Sequence, residues 1–289
     1  AKSNDGSSIY YPTVLFNSSR WIYWGDHDAA GTNWGSTATG TTFTDVTVAE
    51  RLSLTGGIEA AVSDGDLERG WDLYVNADVV DVALLVSGEA DATVATYIID
   101  NLAEVRKDCV VFVSPSRASV VNNIGSEADD VVTYRDTLPS SSYAVMDSNW
   151  KYQYDKYNDT YRFLPLNGDM AGLCVRTDTT RDPWFSPAGL DRGQIKNVVK
   201  LAWNPTQAER DTLYKNGVNP IVTFPGEGTV LYGDKTLLSK PSAFDRINVR
   251  RLFIVLEKAI ARASKFSLFE FNDEFTRAAF NALVNPFLR

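Results

Sequence analysis

The clearest pattern of apolar and polar positions lies between residues 81 and 116. DVALLVS is a short continuous apolar run bounded by polar residues, the signature of a strand buried on both faces. Over residues 91–107, Val94, Ile98, Leu102 and Val105 recur at spacings of four, four and three, which predicts a helix with Asp91 as its N-cap. CVVFVSPS then reads as a second buried strand. Strand, helix and strand of these lengths predict a parallel pair with a right-handed crossover.

Elsewhere the pattern is more mixed. SIYYPTVLF, RWIYWG and TTFTDVTV read as short strands or extended segments near the N-terminus, with DAAGTNWGSTATG between them as loop. SDGDLERGWDLYV predicts a turn and a short helix. Residues 114–142 are polar and place a domain boundary near residue 125. In the second half, YRFL, AGLCVR, VVKL, IVTF, TVLY and FSLFEF read as strands. Thr206 and Glu209 form a capping box before a short helix that stops at Gly217.

The longest helix is expected from about Val249 to Ala263, with Leu252, Val255, Leu256, Ala259, Ile260 and Ala263 as its apolar stripe. Phe253 and Ile254 lie off that stripe, so burial on more than one side is expected. A last helix begins after Asn272, with Phe275, Ala279 and Leu283 on one face and Pro286 beyond its end. The fold class that follows is mixed α/β (α+β) and multi-domain. Residues 1–125 form a β-rich outer region that includes the strand-helix-strand unit, and residues 126–289 form a sheet-and-helix core.

Composition narrows the function classes. A chain of 289 residues with 44% hydrophobic and 22% charged residues can bury a large core, and disorder of the whole is excluded. No apolar run reaches the roughly 20 residues needed to insert in a bilayer as a helix. The net charge of −9 argues against nucleic acid as a partner, because displacing counterions from phosphates needs a basic surface. AKSNDGSSIYYP has no secretory pattern and lacks an initiator Met, so a fragment or a processed product is expected. Cys109 and Cys174 sit in apolar runs, which suits buried small hydrophobes made in a reducing compartment.

Candidate chemistry is sparse. GTVLYGDKT nearly matches the phosphate loop G-x-x-x-x-G-K-S/T, but Asp234 separates Gly233 from Lys235. It would place a carboxylate where phosphate oxygens sit, and the β-branched and aromatic run before it favours a sheet. His27 is the only histidine and lies in a loop region, so no Ser-His-Asp or Cys-His set is available. Acids cluster in SEADD, RTDTTRD and FNDEF, where turns and helix starts account for them. The expectation is therefore no enzyme, no cofactor and no metal. Trp21, Trp24 and Trp34 cluster with Tyr10, Tyr11 and Tyr23. They suit a β-sandwich core, with a carbohydrate- or host-surface-binding module as the alternative.

Arg250 and Arg251 precede the long helix, where positive charge opposes the macrodipole. Compensation by an acid is expected, either within the chain, as with Asp245, or on another subunit. The intrachain pair is the simpler of the two.

Several phrases, in order, carry a family resemblance: LTGG, YRFLPLNGDMAG, VRTD, SPAGL, GVNPI, FPGEGTVLYGDKTL, INVRRLF and FEFND. Over roughly residues 50–289 the chain resembles the tail sheath proteins of contractile-tailed bacteriophages of the T-even type. That resemblance implies a structural virion protein that assembles in the host cytoplasm. Its copies form a helical homopolymer around the tail tube protein, between baseplate and tail terminator proteins, and contract to drive the tube through the host envelope. It also implies linking arms that extend neighbours' sheets. Such arms are not evident here, so a monomeric or weakly associating fragment is expected. Arg250, Arg251, Asp273, Glu274 and Arg277 are the candidate subunit or tube contacts. Whether the last helix faces the tube or packs within its own subunit stays open at this level.

Overall fold

The computed structural model describes residues 11–21 and 62–288. Contacts group the chain into two compact units, Ala1–Glu59 and Ala60–Arg289. In the first, helix α1 (Tyr11–Ser18) lies where the apolar run predicted a strand. Pro12, in its first turn, has its φ preset for a helix and no N–H to leave unpaired. RWIYWG beyond Trp21, TTFTDVTV and the loop between them lie outside the described residues.

In the second unit, α2 (Asp64–Asp72) starts at Ser63, whose hydroxyl accepts from the Asp66 N–H. Strand β1 (Leu84–Val86) follows. A continuous helical segment comes next, made of α3 (Ala92–Tyr97), a π-helical stretch Ile98–Ala103, and α4 (Glu104–Arg106). Asp91 caps it by accepting from the Val94 N–H at 2.9 Å. Strand β2 (Val110–Val113), helices α5 (Arg117–Val120) and α6 (Glu127–Thr137), and strand β3 (Ala144–Asp147) complete this part.

The hairpin β4 (Trp150–Asp155) and β5 (Thr160–Pro165) leads to α7 (Asn167–Thr180), β6 (Lys200–Leu201) and α8 (Gln207–Lys215). Strands β7 (Val218–Asn219), β8 (Ile221–Phe224) and β9 (Gly228–Leu231) precede the long α9 (Ile247–Ser264) and the last helix α10 (Glu274–Leu288).

The core is a parallel sheet in the order β1-β2-β3-β7, with Leu84 opposite Val110, Val111 opposite Ala144 and Met146 opposite Val218. Val110 to Val113 are all buried, as a strand covered on both faces requires. The boundary expected near residue 125 falls between α5 and α6, inside the unit Ala60–Arg289. Strands from both sides of it share this sheet, so the polar stretch connects elements of one body. A second sheet, β5-β4-β6, and the β8-β9 hairpin are antiparallel.

Four local expectations change. AGLCVR is part of α7, because Met170, Ala171, Leu173, Cys174 and Thr177 are the buried set and their spacing is helical. FSLFEF forms a 3₁₀ turn at Lys265–Ser267 and then irregular chain. Helix α10 contains Pro286 and runs to Leu288. On α9 the buried residues are Ile247, Arg250, Arg251 and Ile254, while the predicted stripe from Leu252 to Ala263 is only half-buried.

The crossover helix holds a fifth difference. Its buried face is Val94, Ala95, Ile98, Ile99, Leu102 and Ala103, and Val105 points to solvent. The π-helical stretch adds a residue to the turn and so rotates everything after it. Arg106 therefore turns inward and makes a two-pronged pair with Asp108, at 2.9 and 3.0 Å. Truncation measures the rotation. Leu102→Ala should cost about 2–5 kcal/mol of unfolding free energy, and Val105→Ala no more than about 0.5 kcal/mol, in urea melts. Equal losses would contradict the shifted face.

Candidate assembly surfaces

In open α/β sheets, ligands bind in the crevice beyond the carboxyl ends of the strands. Here that position is filled by the chain's own polar side chains. Asp147, at the end of β3, accepts from the Ser114 hydroxyl at 2.5 Å and from the Asn149 N–H at 2.9 Å. Ser114 accepts in turn from the Asn167 N–H, and the Asn167 amide donates to the Gly88 carbonyl at 2.6 Å. Asn149 reaches the Trp203 carbonyl, and the Ser148 hydroxyl receives the Ile221 N–H. Asn219, at the end of β7, donates to the carbonyls of Met146 and Lys235 and accepts the Lys235 N–H at 2.6 Å. Ser114, Asp147, Ser148, Asn149, Asn167 and Asn219 are all buried, and together they tie the sheet to both hairpins and to α7.

The glycine-rich stretch has an equally structural role. Thr229, Val230 and Leu231 pair with Thr223, Val222 and Ile221 across the β8-β9 hairpin, so this backbone is engaged in a sheet. Asp234 holds Arg246 at 2.8 Å, and the Lys235 ammonium lies 4.4 Å from the centre of the Tyr214 ring. Gly193 packs against this hairpin: a Cβ there would lie 2.7 Å from the Leu231 carbonyl oxygen, so only glycine fits.

The sequence-selected arginines face inward. Arg250 is sandwiched between the rings of Tyr143 and Phe244, with each centroid 4.1 Å from the guanidinium carbon, and donates to the Tyr143 hydroxyl at 3.1 Å. Arg251 pairs with Asp178 at 2.5 Å. Asp245, the partner suggested by sequence, instead pairs with Arg246 at 3.4 Å. Both arginines are thus more than nine-tenths buried and fasten the start of α9 to its own chain, Arg250 at 7% exposure and Arg251 at 6%.

Asp273, Glu274 and Arg277 are exposed at the start of α10. Asp273 accepts from the Thr276 N–H at 2.8 Å, and that bond holds its carboxyl below the usual range. Arg277 donates to the Asn272 side chain at 3.3 Å. The α10 face made of Phe275, Ala279 and Leu283 is exposed, whereas Thr276, Phe280 and Val284 are half-buried. Phe266, Leu268, Phe269 and Phe271 are exposed just upstream, so a run of large apolar side chains faces solvent at this end of the unit. FSLFEF has the apolar content of a strand, and the density of its phenylalanines beside acids is the sign in the sequence of a surface.

Of the N-terminal aromatics, Trp21 is 89% exposed, and Trp24, Trp34, Tyr10 and Tyr23 lie outside the described residues, as does His27. Cys109 and Cys174 are buried, and burial pushes their thiols up to about 11 and about 12.

Burial pushes the Asp147 carboxyl up to about 8, with Asp169 adding repulsion, while Asp169 itself is held by Lys151 at 2.9 Å. The folded state therefore keeps a proton that an unfolded chain releases near pH 4. Its contribution to stability is full below about pH 4, declines as pH rises towards 8 and then levels off. Asp147→Asn should remove this slope, which is about 1 kcal/mol per pH unit, from urea midpoints measured between pH 5 and 8. A slope unchanged by the substitution would place the proton elsewhere.

Comparison with known proteins agrees with this architecture. Residues 60–237 match the family model for the phage tail sheath protein central domain. The chain is 46% identical over 254 residues to the tail sheath protein of Vibrio phage KVP40, covering 81% of this chain and 38% of that protein. It is 45% identical over 257 residues to the tail sheath protein of Enterobacteria phage T4, covering 82% of this chain and 39% of that protein. With the tail sheath protein of Salmonella phage ViI it shares 41% identity over 292 residues, 100% of this chain and 43% of the relative. The chain thus spans about two-fifths of the length of these curated relatives.

Among solved structures, the fold is similar to the anti-feeding prophage helical sheath in its contracted state, with a TM-score of 0.61 and 22% identity, covering 80% of this chain and 59% of that one. It is also similar to the contracted PVC sheath complex of an extracellular contractile injection system, with a TM-score of 0.60 and 20% identity, covering 78% of this chain and 64% of that one. The chain belongs to the phage tail sheath protein family, and residues 60–237 carry its central domain.

Proposed function

We propose that this chain is the body of a contractile tail sheath subunit. Copies stack around a tail tube as a helical polymer anchored at the baseplate and bounded by a tail terminator. The array is held in a metastable extended state, and its contraction drives the tube through the host envelope. Assembly takes place in the host cytoplasm, and the product is part of the virion tail. No enzymatic step enters, because the energy is stored in contacts between subunits.

The observation that carries this reading is the exposed apolar run from Phe266 to Phe275, beside the acids at the start of α10. Soluble monomers rarely leave so many large apolar side chains together in water. The polar side chains bonded together at the strand ends agree with a structural role, since among the described residues they occupy the position where this sheet type would hold a substrate. Asp273, Glu274 and Arg277 then meet the tube, while Arg250 and Arg251 act indirectly by fixing α9 within the subunit.

Electron microscopy of the chain incubated with purified tail tubes tests the reading. Decorated tubes are expected from the parent protein. Asp273→Lys combined with Glu274→Lys should reduce decoration about tenfold, because like-charge contacts replace attractive ones. The unfolding free energy from urea melts should fall by no more than the ~1 kcal/mol that losing the Asp273 cap on α10 costs, since both side chains are exposed. Full decoration by the variant would remove the tube contact, and bare tubes with the parent protein would remove the sheath reading for this chain.

A further inference from the structure

The loops at the amino ends of β3 and β7 enclose a second polar region. A cleft of about 570 Å³ is lined by Arg135, Lys215, Lys235 and Lys240, and by the acids Asp136 and Asp245. Its charge is out of balance in a chain whose net charge is −9. Arg135 is 7% exposed, and no carboxylate among the described residues forms an ion pair with it. Its guanidinium donates to the carbonyls of Leu138 and Leu237 and to the Ser239 hydroxyl, and its buried Nε has no partner.

Desolvation lowers the Arg135 pKa, with only Asp136 opposing it. Lys215 and Lys240 are exposed and unpaired among the described residues, while Asp245 is already held by Arg246. The carboxyl ends of α6 and α8 also point into this region. Each supplies about half a negative charge, which together with Asp136 does not balance four cations. A buried cation without a counter-charge is unfavourable, and an incoming anion relieves it.

The same chain carries a matching anion. On α2, Asp64, Glu68 and Asp72 recur at one-turn spacing, and Arg69, the helix's one cation, pairs with Asp66. Helix α2 packs on α3, where the Tyr97 hydroxyl bonds Asp72 at 2.5 Å. None of its residues lines the cleft. We propose that the cleft is an anion-binding site that receives the acidic face of α2 from a neighbouring copy of the chain. Two different patches then meet, so the contact is heterologous and propagates as an open helix instead of closing a dimer. This inference rests on the self-assembly reading above and adds the surfaces that join copies.

Zero-length carbodiimide coupling tests it. Isotope-labelled and unlabelled chains are mixed at low salt, and cross-links between copies are mapped by mass spectrometry. Lys215 and Lys240 are expected to couple to Asp64 and Glu68 of the other copy, with the yield falling as salt screens the contact. Lys215→Glu with Lys240→Glu should reduce inter-copy coupling of α2 about tenfold. Adding Asp64→Lys and Glu68→Lys to the same chain should restore inter-copy coupling with the polarity exchanged. Both exchanged sites are exposed or half-buried, and circular dichroism checks that each variant is folded.

Cross-links between copies that avoid the cleft would overturn the proposal, as would a swap that restores nothing. Cleft binding of inorganic phosphate without any coupling to α2 would assign the site to a free ion and overturn the occupant. Decoration of tubes by the parent protein is read separately, so failure here is distinguishable from failure of the sheath reading.

Discussion

The burial of Asp147 constrains the rest of the body. A carboxyl group with no access to water must find its partners within the chain, or the fold pays several kcal/mol for it. Ser114 and Asn149 supply those partners, and each is itself committed to another element. Because the partners come from the ends of β2 and β3, from the start of β4 and from α7, the network forms only when these elements have docked. It converts a parallel sheet of short strands, which alone would be a weak scaffold, into one with a single arrangement of its outer hairpins.

Among the described residues, the same network occupies the strand ends of this α/β body. Space that would admit a ligand is taken up by asparagine and serine side chains bonded to backbone groups. The glycine-rich segment that resembles a phosphate loop is likewise absorbed, its residues pairing in the β8-β9 hairpin and its aspartate holding Arg246. Both features place rigidity where an enzyme would place access.

Much of this was legible in the sequence where local signals and tertiary packing agree. Asp91 as a cap, the Thr206–Glu209 capping box and the parallel pairing of DVALLVS with CVVFV all depend on short-range rules. Where the two disagree, the sequence misleads. Val105 fits the helical period, but the π-helical stretch before it turns it outward. AGLCVR looks like a strand in a window of six, and only the longer spacing from Met170 to Thr177 reveals a helix face. Arg250 and Arg251 break the macrodipole rule, yet much of the compensation comes from Tyr143, 107 residues from Arg250, and from Asp178, 73 residues from Arg251, which no local pattern could identify; only the Phe244 ring is near in sequence. The unbalanced cleft at Arg135 was invisible for the same reason: its cations come from the last turns of α6 and α8 and from the chain after β9, which are far apart in sequence.

The sheath role proposed above, with energy stored in contacts between subunits, needs bodies that do not deform when those contacts change. If the body yielded, strain released at one interface would be absorbed inside the subunit and would not reach the next. The interlocked polar network and the inward-facing arginines of α9 supply stiffness of that kind. The exposed apolar run and the unpaired charges remain at the periphery, where contacts can be exchanged. Partition of this sort allows large rearrangements of an array to proceed with each subunit moving as a rigid body. It follows that substitutions inside the network should act on whether the body folds, whereas substitutions at the periphery should act on how copies meet. The separation arises because buried polar groups must be fully satisfied, while surface charges can trade partners at little cost.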